Sequence, residues 1–240
     1  MRSSTTSWAA LSLAFLSTLT AATPVPTTIN LSERATTQQL SALQSQMPTN
    51  GLPAPSNMVL KHVALGVGTQ NYTCATPGST AAPTSNGAKA NLYDISDFLS
   101  SPMGPFMRST LPGLALSLST NMPQLTSFLQ SHSSGLQLGV HYFNATLTPT
   151  FDLSAASEIL RAKKANNVPA PADATTCKGL SQEGAVDWLY LTAVDVSSPT
   201  LSAVYRIYTA GGVAPTTCAN ATSKDVTVPY AAEYWFYGPQ

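Results

Sequence analysis

The stretch "VALGVGTQNYTC", Val63 to Cys74, decides how this chain is read. Gly66 and Gly68 form a G-x-G after a β-branched apolar run, which could open a dinucleotide-binding loop. The same residues hold Asn71-Tyr72-Thr73, an N-glycosylation acceptor, and then a cysteine. A dinucleotide fingerprint needs a third glycine, so that helix and strand pack closely. It also needs an acidic residue about 20 positions on to hold the ribose hydroxyls. Here Asn71 stands in the third glycine's place, a strand-like "NYTC" follows where the helix would begin, and positions 84 to 93 contain no carboxylate. Alternation of period two puts Asn71 and Thr73 on one face and Tyr72 and Cys74 on the other. That suits a glycan outside and a disulfide inside. The glycines then serve a bulge or a close strand approach. No nicotinamide cofactor is expected.

The amino terminus points to export. Arg2 supplies a small positive region, Trp8 to Leu19 ("WAALSLAFLSTL") a short apolar core, and "TAATP" small residues suited to cleavage after about Ala22. This is the layout of a signal peptide over residues 1–22, too short for a comfortable span. No later stretch approaches ~18 uninterrupted apolar residues, so no membrane anchor is expected. Among 240 residues there are 11 basic and 11 acidic side chains, which leaves no basic field to attract nucleic acid. N-x-[ST] acceptors occur at Asn30, Asn71, Asn144 and Asn220. Behind a signal peptide they predict a secreted, extracellular glycoprotein.

Residues 23–57 are rich in Pro, Thr, Ser and Gln and can bury little apolar surface, so a mostly flexible lead-in is expected. Its "SERATTQQLSALQSQ" can form one marginal helix. From Met58 the period changes to two. In "VLKHVALGV" Val59, Val63, Leu65 and Val67 share a face, with His62 and Ala64 opposite. "LQLGVHYF" sets Leu136, Leu138, Val140 and Tyr142 against His141. "VDWLYLTAV", "SAVYRIYT" and "YAAEYWFY" are further β-branched and aromatic runs bounded by turn formers. Strands without regular intervening helices predict a mostly β fold: an antiparallel β-sandwich or barrel-like single domain over 58–240. A partly helical insertion is expected at about 97–132, where Pro102, Pro105, Pro112 and Pro123 interrupt the pattern. "SAASEILRAKKA" (Ser154 to Ala165) reads as helix on local propensity alone.

At "GVGTQNYTC", "GAVDWLYLTA", "VYRIYTAGGVAPTTC" and "VPYAAEYWFYG" the chain resembles the fungal branch of a secreted family, domain-of-unknown-function family 3455. The resemblance covers roughly Leu52 to Gly238. Relatives from bacteria carry a tryptophan where this chain has Phe151, and their counterpart of Ser157 to Ala165 is extended, which implies strand there. Members often bear a malate dehydrogenase label, a chemistry these residues do not support. The family brings no activity to carry over. Cys74 and Cys218 follow motifs that match the family, whereas Cys177 lies in a loop, so the resemblance implies a Cys74–Cys218 bridge. Cys177–Cys218 is the alternative pairing.

Chemistry-bearing residues are few. Histidine occurs only at His62, His132 and His141, with no H-E-x-x-H and no cysteine pair at zinc spacing, so no metal and no cofactor are expected. "GLSQEG" has the wrong spacing for a nucleophile elbow. His141 is either a hydrogen-bonded or half-exposed sheet residue, or a catalytic base working with a carboxylate such as Asp152 or Asp187. Arg206 forms a structural ion pair with Asp187 or Glu233, or it binds ligand. Aromatic residues crowd the last third of the chain. Most belong to a core, but a subset on an exposed face could stack on sugar rings. Two readings remain open. One is a non-catalytic binding or surface-interaction protein, with Trp188, Arg206, Glu233 and Tyr234 toward a cell-wall or extracellular carbohydrate or a small ligand. The other is a secreted hydrolase or other enzyme using His141. A cleft joining His141 to a carboxylate favours the enzyme; a flat aromatic row favours binding.

Overall fold

The period-two run that begins at Met58 forms the longest strand, β1 (Val59–Thr73), of 15 residues. It is followed by β2 (Thr84–Asp94), β3 (Gln137–Phe143), β4 (Pro149–Leu153), β5 (Glu158–Val168), β6 (Trp188–Ala193), β7 (Ala203–Gly211) and β8 (Asp225–Gly238). The computed structural model describes residues 35–48, 50–131, 136–176, 184–195 and 199–240. Neighbours in sequence pair antiparallel, and β1 pairs with β8 from Val59↔Gly238 to Thr73↔Asp225, so the sheet closes into a barrel. Closure removes both sheet edges and their unpaired backbone groups. Of the two expected architectures, sandwich or barrel, the chain adopts the barrel.

Two cores share the barrel wall. One contains Ala64, Leu92, Phe151, Leu160, Val204 and Phe236 among others, contributed by all eight strands, and fills the interior. The other joins Val63, Leu65, Tyr205 and Trp235 to Leu43, Phe98, Leu111 and Leu125, so it lies outside the wall, under the helices. Those helices are α1 (Thr37–Gln44), and α2 (Ser96–Ser100), α3 (Gly104–Met107), α4 (Leu111–Ser117) and α5 (Met122–Gln130), the last four between β2 and β3. The insertion is thus helical, as its prolines and short apolar repeats suggest, with Pro in the first turn of α3, α4 and α5. Among the described residues no helix is long and apolar enough to cross a membrane.

One sequence expectation changes, and one conflict between local propensity and family resemblance is resolved. The segment read as a flexible lead-in is packed over residues 35–48 and 50–57. Thr36 and Gln39 close a capping box at the start of α1, and Leu43 and Leu52 are buried in the outer core. Its sparse apolar residues suffice because the outer barrel face supplies the rest of the contact. Propensity would make Ser154 to Ala165 a helix. Instead a short 3-10 turn, Ser154–Ala156, ends at Ser157 in the left-handed region, and β5 begins at Glu158. Pairing on both sides, to β4 and β6, overrides local preference, in agreement with the extended conformation implied by the family resemblance.

The two glycines of the opening stretch have a packing role. A Cβ on Gly66 would lie 2.5 Å from Cε2 of Tyr234, and one on Gly68 would lie 1.9 Å from the Lys89 carbonyl oxygen. Gly66 leaves room for an aromatic ring inside the barrel, and Gly68 lets two backbones approach. Gly68→Ala should lower stability by about 1–3 kcal/mol or more, since backbone must move. Gly184→Ala, whose new atom would meet Val213 at an ordinary 3.8 Å, is the control. Urea midpoints compare the two; equal midpoints would refute the close-approach role.

Candidate binding site in the barrel

Alternation along the inward faces brings polar residues from strands far apart in sequence to one end of the interior. His141 of β3 is 3% exposed. Its ring stacks on Phe151 of β4, with centroids 4.2 Å apart, and lies 5.7 Å from the Tyr234 ring of β8. Of the two structural readings of His141, hydrogen-bonded or half-exposed, it is the hydrogen-bonded one that holds, and the ring lies within the apolar side instead of opposite it. Val140 and Tyr142 are the half-exposed residues, and Leu136 is 52% exposed. A register shift beside Leu92 and Tyr93 lets Leu138 pack inward although it is out of phase with His141.

His141 Nδ1 lies 2.9 Å from the Thr150 carbonyl oxygen. Burial, with a smaller contribution from the Arg206 charge, lowers its pKa to about 4 despite the favourable Thr150 contact, so the imidazole is neutral near pH 7. Neither proposed carboxylate partner hydrogen-bonds to it. Asp152 pairs in register with Val140 rather than His141, on the opposite face of the sheet from Phe151. The Asp187 carboxylate accepts from Asn167 Nδ2 at 2.7 Å.

Arg206 of β7 sits in register between Leu189 of β6 and Tyr234. Its Nε and Nη2 donate to the Asp187 backbone oxygen at 3.2 and 2.9 Å. The expected ion pair with Asp187 or Glu233 is therefore absent among the described residues, whose salt bridges join His62 to Glu158 and Arg161 to Asp195. A single backbone oxygen is a weaker partner for a guanidinium than a carboxylate. Glu233 faces the other side of the wall. Tyr234 shares a hydrogen bond of 2.9 Å with Tyr230. Burial raises the pKa of both phenols, so they remain protonated.

His141, Asp187, Arg206 and Tyr234 border a cavity of about 660 Å3 that runs to the loops after β3 and β7. Phe143, Phe151, Leu189 and Leu191 give it apolar walls. Leu147, Val194 and Val213 line it too and are 58%, 44% and 37% exposed, an apolar lip at its opening. Gln70, also in the lining, is 8% exposed and its Nε2 has no hydrogen-bond partner. Sequence reasoning missed Gln70, although it shares parity with Gly66 and Gly68 in the opening stretch.

The four residues expected to bind ligand fall on two faces. Arg206 and Tyr234 line the cavity. Trp188 and Glu233 lie in the outer layer, 1% and 0% exposed. Trp188 packs edge-on against Tyr208, and Glu233 Oε2 accepts from Trp235 Nε1 at 2.9 Å. Tyr205, Tyr230, Trp235 and Tyr237 are buried as well, so these rings form no exposed platform. Cys74 and Cys218 are disulfide-bonded, tying the end of β1 to the loop before β8; Cys177, like His132, residues 179–183 of "GLSQEG" and residues 1–34, lies outside the described residues. Among the described residues no group of three or more His, Cys, Asp or Glu could hold a metal ion.

No curated protein and no solved structure matches the chain. The family model described as "Protein of unknown function (DUF3455)" matches residues 55–238, a span that takes in every strand of the barrel, and the chain belongs to that family.

Proposed function

We propose that this is an exported, N-glycosylated, non-catalytic binding protein that takes a small, largely apolar ligand into the open end of its barrel. The observation that carries the reading is the cavity of about 660 Å3, with apolar walls, an exposed apolar lip and polar groups that include His141, Arg206 and Gln70. Small-molecule sites have this composition and a volume of roughly 300–1,000 Å3. A wall-polysaccharide role is less well supported, because the rings that would stack on sugars are buried. The enzyme reading lacks its required pair, since His141 bonds to a backbone oxygen rather than a carboxylate.

Titration with a neutral solvatochromic dye such as Nile red tests the cavity. Binding should be saturable, and Ala162→Trp, which fills the interior beside the cavity, should weaken it by about tenfold or more. Equal dye binding in a folded Ala162→Trp protein would refute the reading.

The export half has its own support. Asn144 Oδ1 accepts from Thr146 N, Thr146 Oγ1 and Thr148 N, which leaves the amide nitrogen for a glycan. Asn220 is exposed and Asn71 half-buried. Endoglycosidase treatment of material secreted by a eukaryotic host should lower its apparent mass. An unchanged mass would remove the glycan from the proposal.

A further inference from the structure

We propose that the ligand of the barrel cavity is a hydroxy acid with an apolar body, its anionic group held by Arg206 and its hydroxyl donating to His141. This rests on the reading of the barrel as a ligand-binding cavity and names the chemistry of the occupant.

The tautomer of His141 is fixed by its surroundings. The Thr150 carbonyl oxygen can only accept, so the bond at 2.9 Å requires the proton on Nδ1. Nε2 is then a bare lone pair, and among the described residues no protein group donates to it. Stacking on Phe151 holds the ring in this orientation. Burial keeps the imidazole neutral, which preserves the lone pair. A neutral, oriented acceptor in an apolar cavity selects a ligand that offers O–H or N–H.

The acid follows from charge. The cavity lining contains three cationic side chains, Lys163, Lys164 and Arg206, against one carboxylate, Asp187. That carboxylate is already engaged by Asn167. Arg206 spends two donors on one carbonyl oxygen and keeps its charge uncompensated by any ion pair among the described residues. Gln70 Nε2, a buried donor with no partner, adds a second group that an anion can satisfy. A guanidinium, an unpartnered amide N–H and a bare imidazole nitrogen around one cavity thus specify acceptor and donor positions on the same small molecule.

The test uses the intact secreted protein and two matched series. The aromatic series is para-hydroxyphenylpropionate, phenylpropionate, para-methoxyphenylpropionate and para-hydroxyphenylpropionamide; the aliphatic pair is ω-hydroxydecanoate and decanoate. Displacement of the neutral dye reports binding. The hydroxy acid of at least one scaffold should bind about tenfold or more tighter than its deoxy and methoxy counterparts, and than its amide where one is in the series. His141→Phe should abolish the preference for the hydroxyl, read as the ratio of hydroxy-acid to deoxy-acid affinity within the variant, whereas His141→Gln, whose amide can donate to Thr150 and accept from the hydroxyl, should retain part of it. Dye binding should persist in both. Arg206→Gln should abolish preference for the acid. In nitrogen NMR the unprotonated Nε2 resonance should move with the hydroxy acid and not with the deoxy acid. Dye binding with no preference for hydroxyl or acid in either scaffold overturns this inference and leaves the cavity reading intact. Failure of the dye to bind at all overturns the cavity reading itself.

Discussion

Replacing Glu233 with glutamine should flatten the pH dependence of stability between about pH 4.5 and 8. Glu233 is fully buried and its pKa is raised from 4.5 to about 8, chiefly by desolvation, against smaller lowering by the Trp235 hydrogen bond and by Arg108. The folded protein therefore binds a proton that the unfolded chain releases between those two values. Stability from the neutral carboxyl is complete below the unfolded value and is lost as pH rises through about 8. The full effect is about 5 kcal/mol at most. The groups facing it are Arg108 at the end of α3, whose guanidinium lies 5.7 Å from the Trp235 ring centroid, and Tyr208 on β7. Oε1 of Glu233 and Nε of Arg108 both lack partners, so neither compensates the other fully. A glutamine keeps an oxygen for Trp235 and has no charge to bury. Urea denaturation of both proteins from pH 5 to 9 gives the result as a difference at each pH. Taking the difference cancels His141, whose lowered pKa works oppositely by removing stability as pH falls below its unfolded value. Parallel curves for the two proteins would show that Glu233 does not titrate in this window.

Opening the Cys74–Cys218 bridge should have a comparable effect. The bridge spans 144 residues, and the chain-entropy relation gives about 5 kcal/mol for a loop of that size, less whatever order the denatured chain retains. The double variant Cys74→Ala/Cys218→Ala should unfold at correspondingly lower urea. Its native loops remain joined by Cys74 N to Lys224 O and Cys218 N to Ala81 O, at 2.7 and 2.8 Å. The effect should therefore appear in stability more than in affinity for the cavity dye. A double variant as stable as the parent would show that the constraint is redundant with those backbone bonds.

The amino-acid sequence by itself determined the elements that depend on local pattern. Alternation and β-branched or aromatic runs located β1, β3, β6, β7 and β8 but not β2, clustered prolines marked where the sheet is interrupted, and the absent third glycine and helix excluded a dinucleotide loop at Val63 to Cys74. The cysteine pairing was legible only through motifs shared with the family. What alternation cannot supply is its sign. In β1 the large residues Val63, Leu65 and Val67 face outward, and Ala64, Gly66 and Gly68 face in, because the closed barrel must also hold Tyr234, Phe236 and Phe151. The large outer face is buried only because α1 and the inserted helices cover it. Thus Glu233 and Trp188, read beside Arg206 and Tyr234 as one set, part to opposite sides of the wall. Gln70, His141, Arg206 and Tyr234 come from four different strands and share a cavity only once β1 has paired with β8. Pairing between β1 and β8 spans nearly the whole described chain, and no local periodicity encodes which side of a strand such closure turns inward.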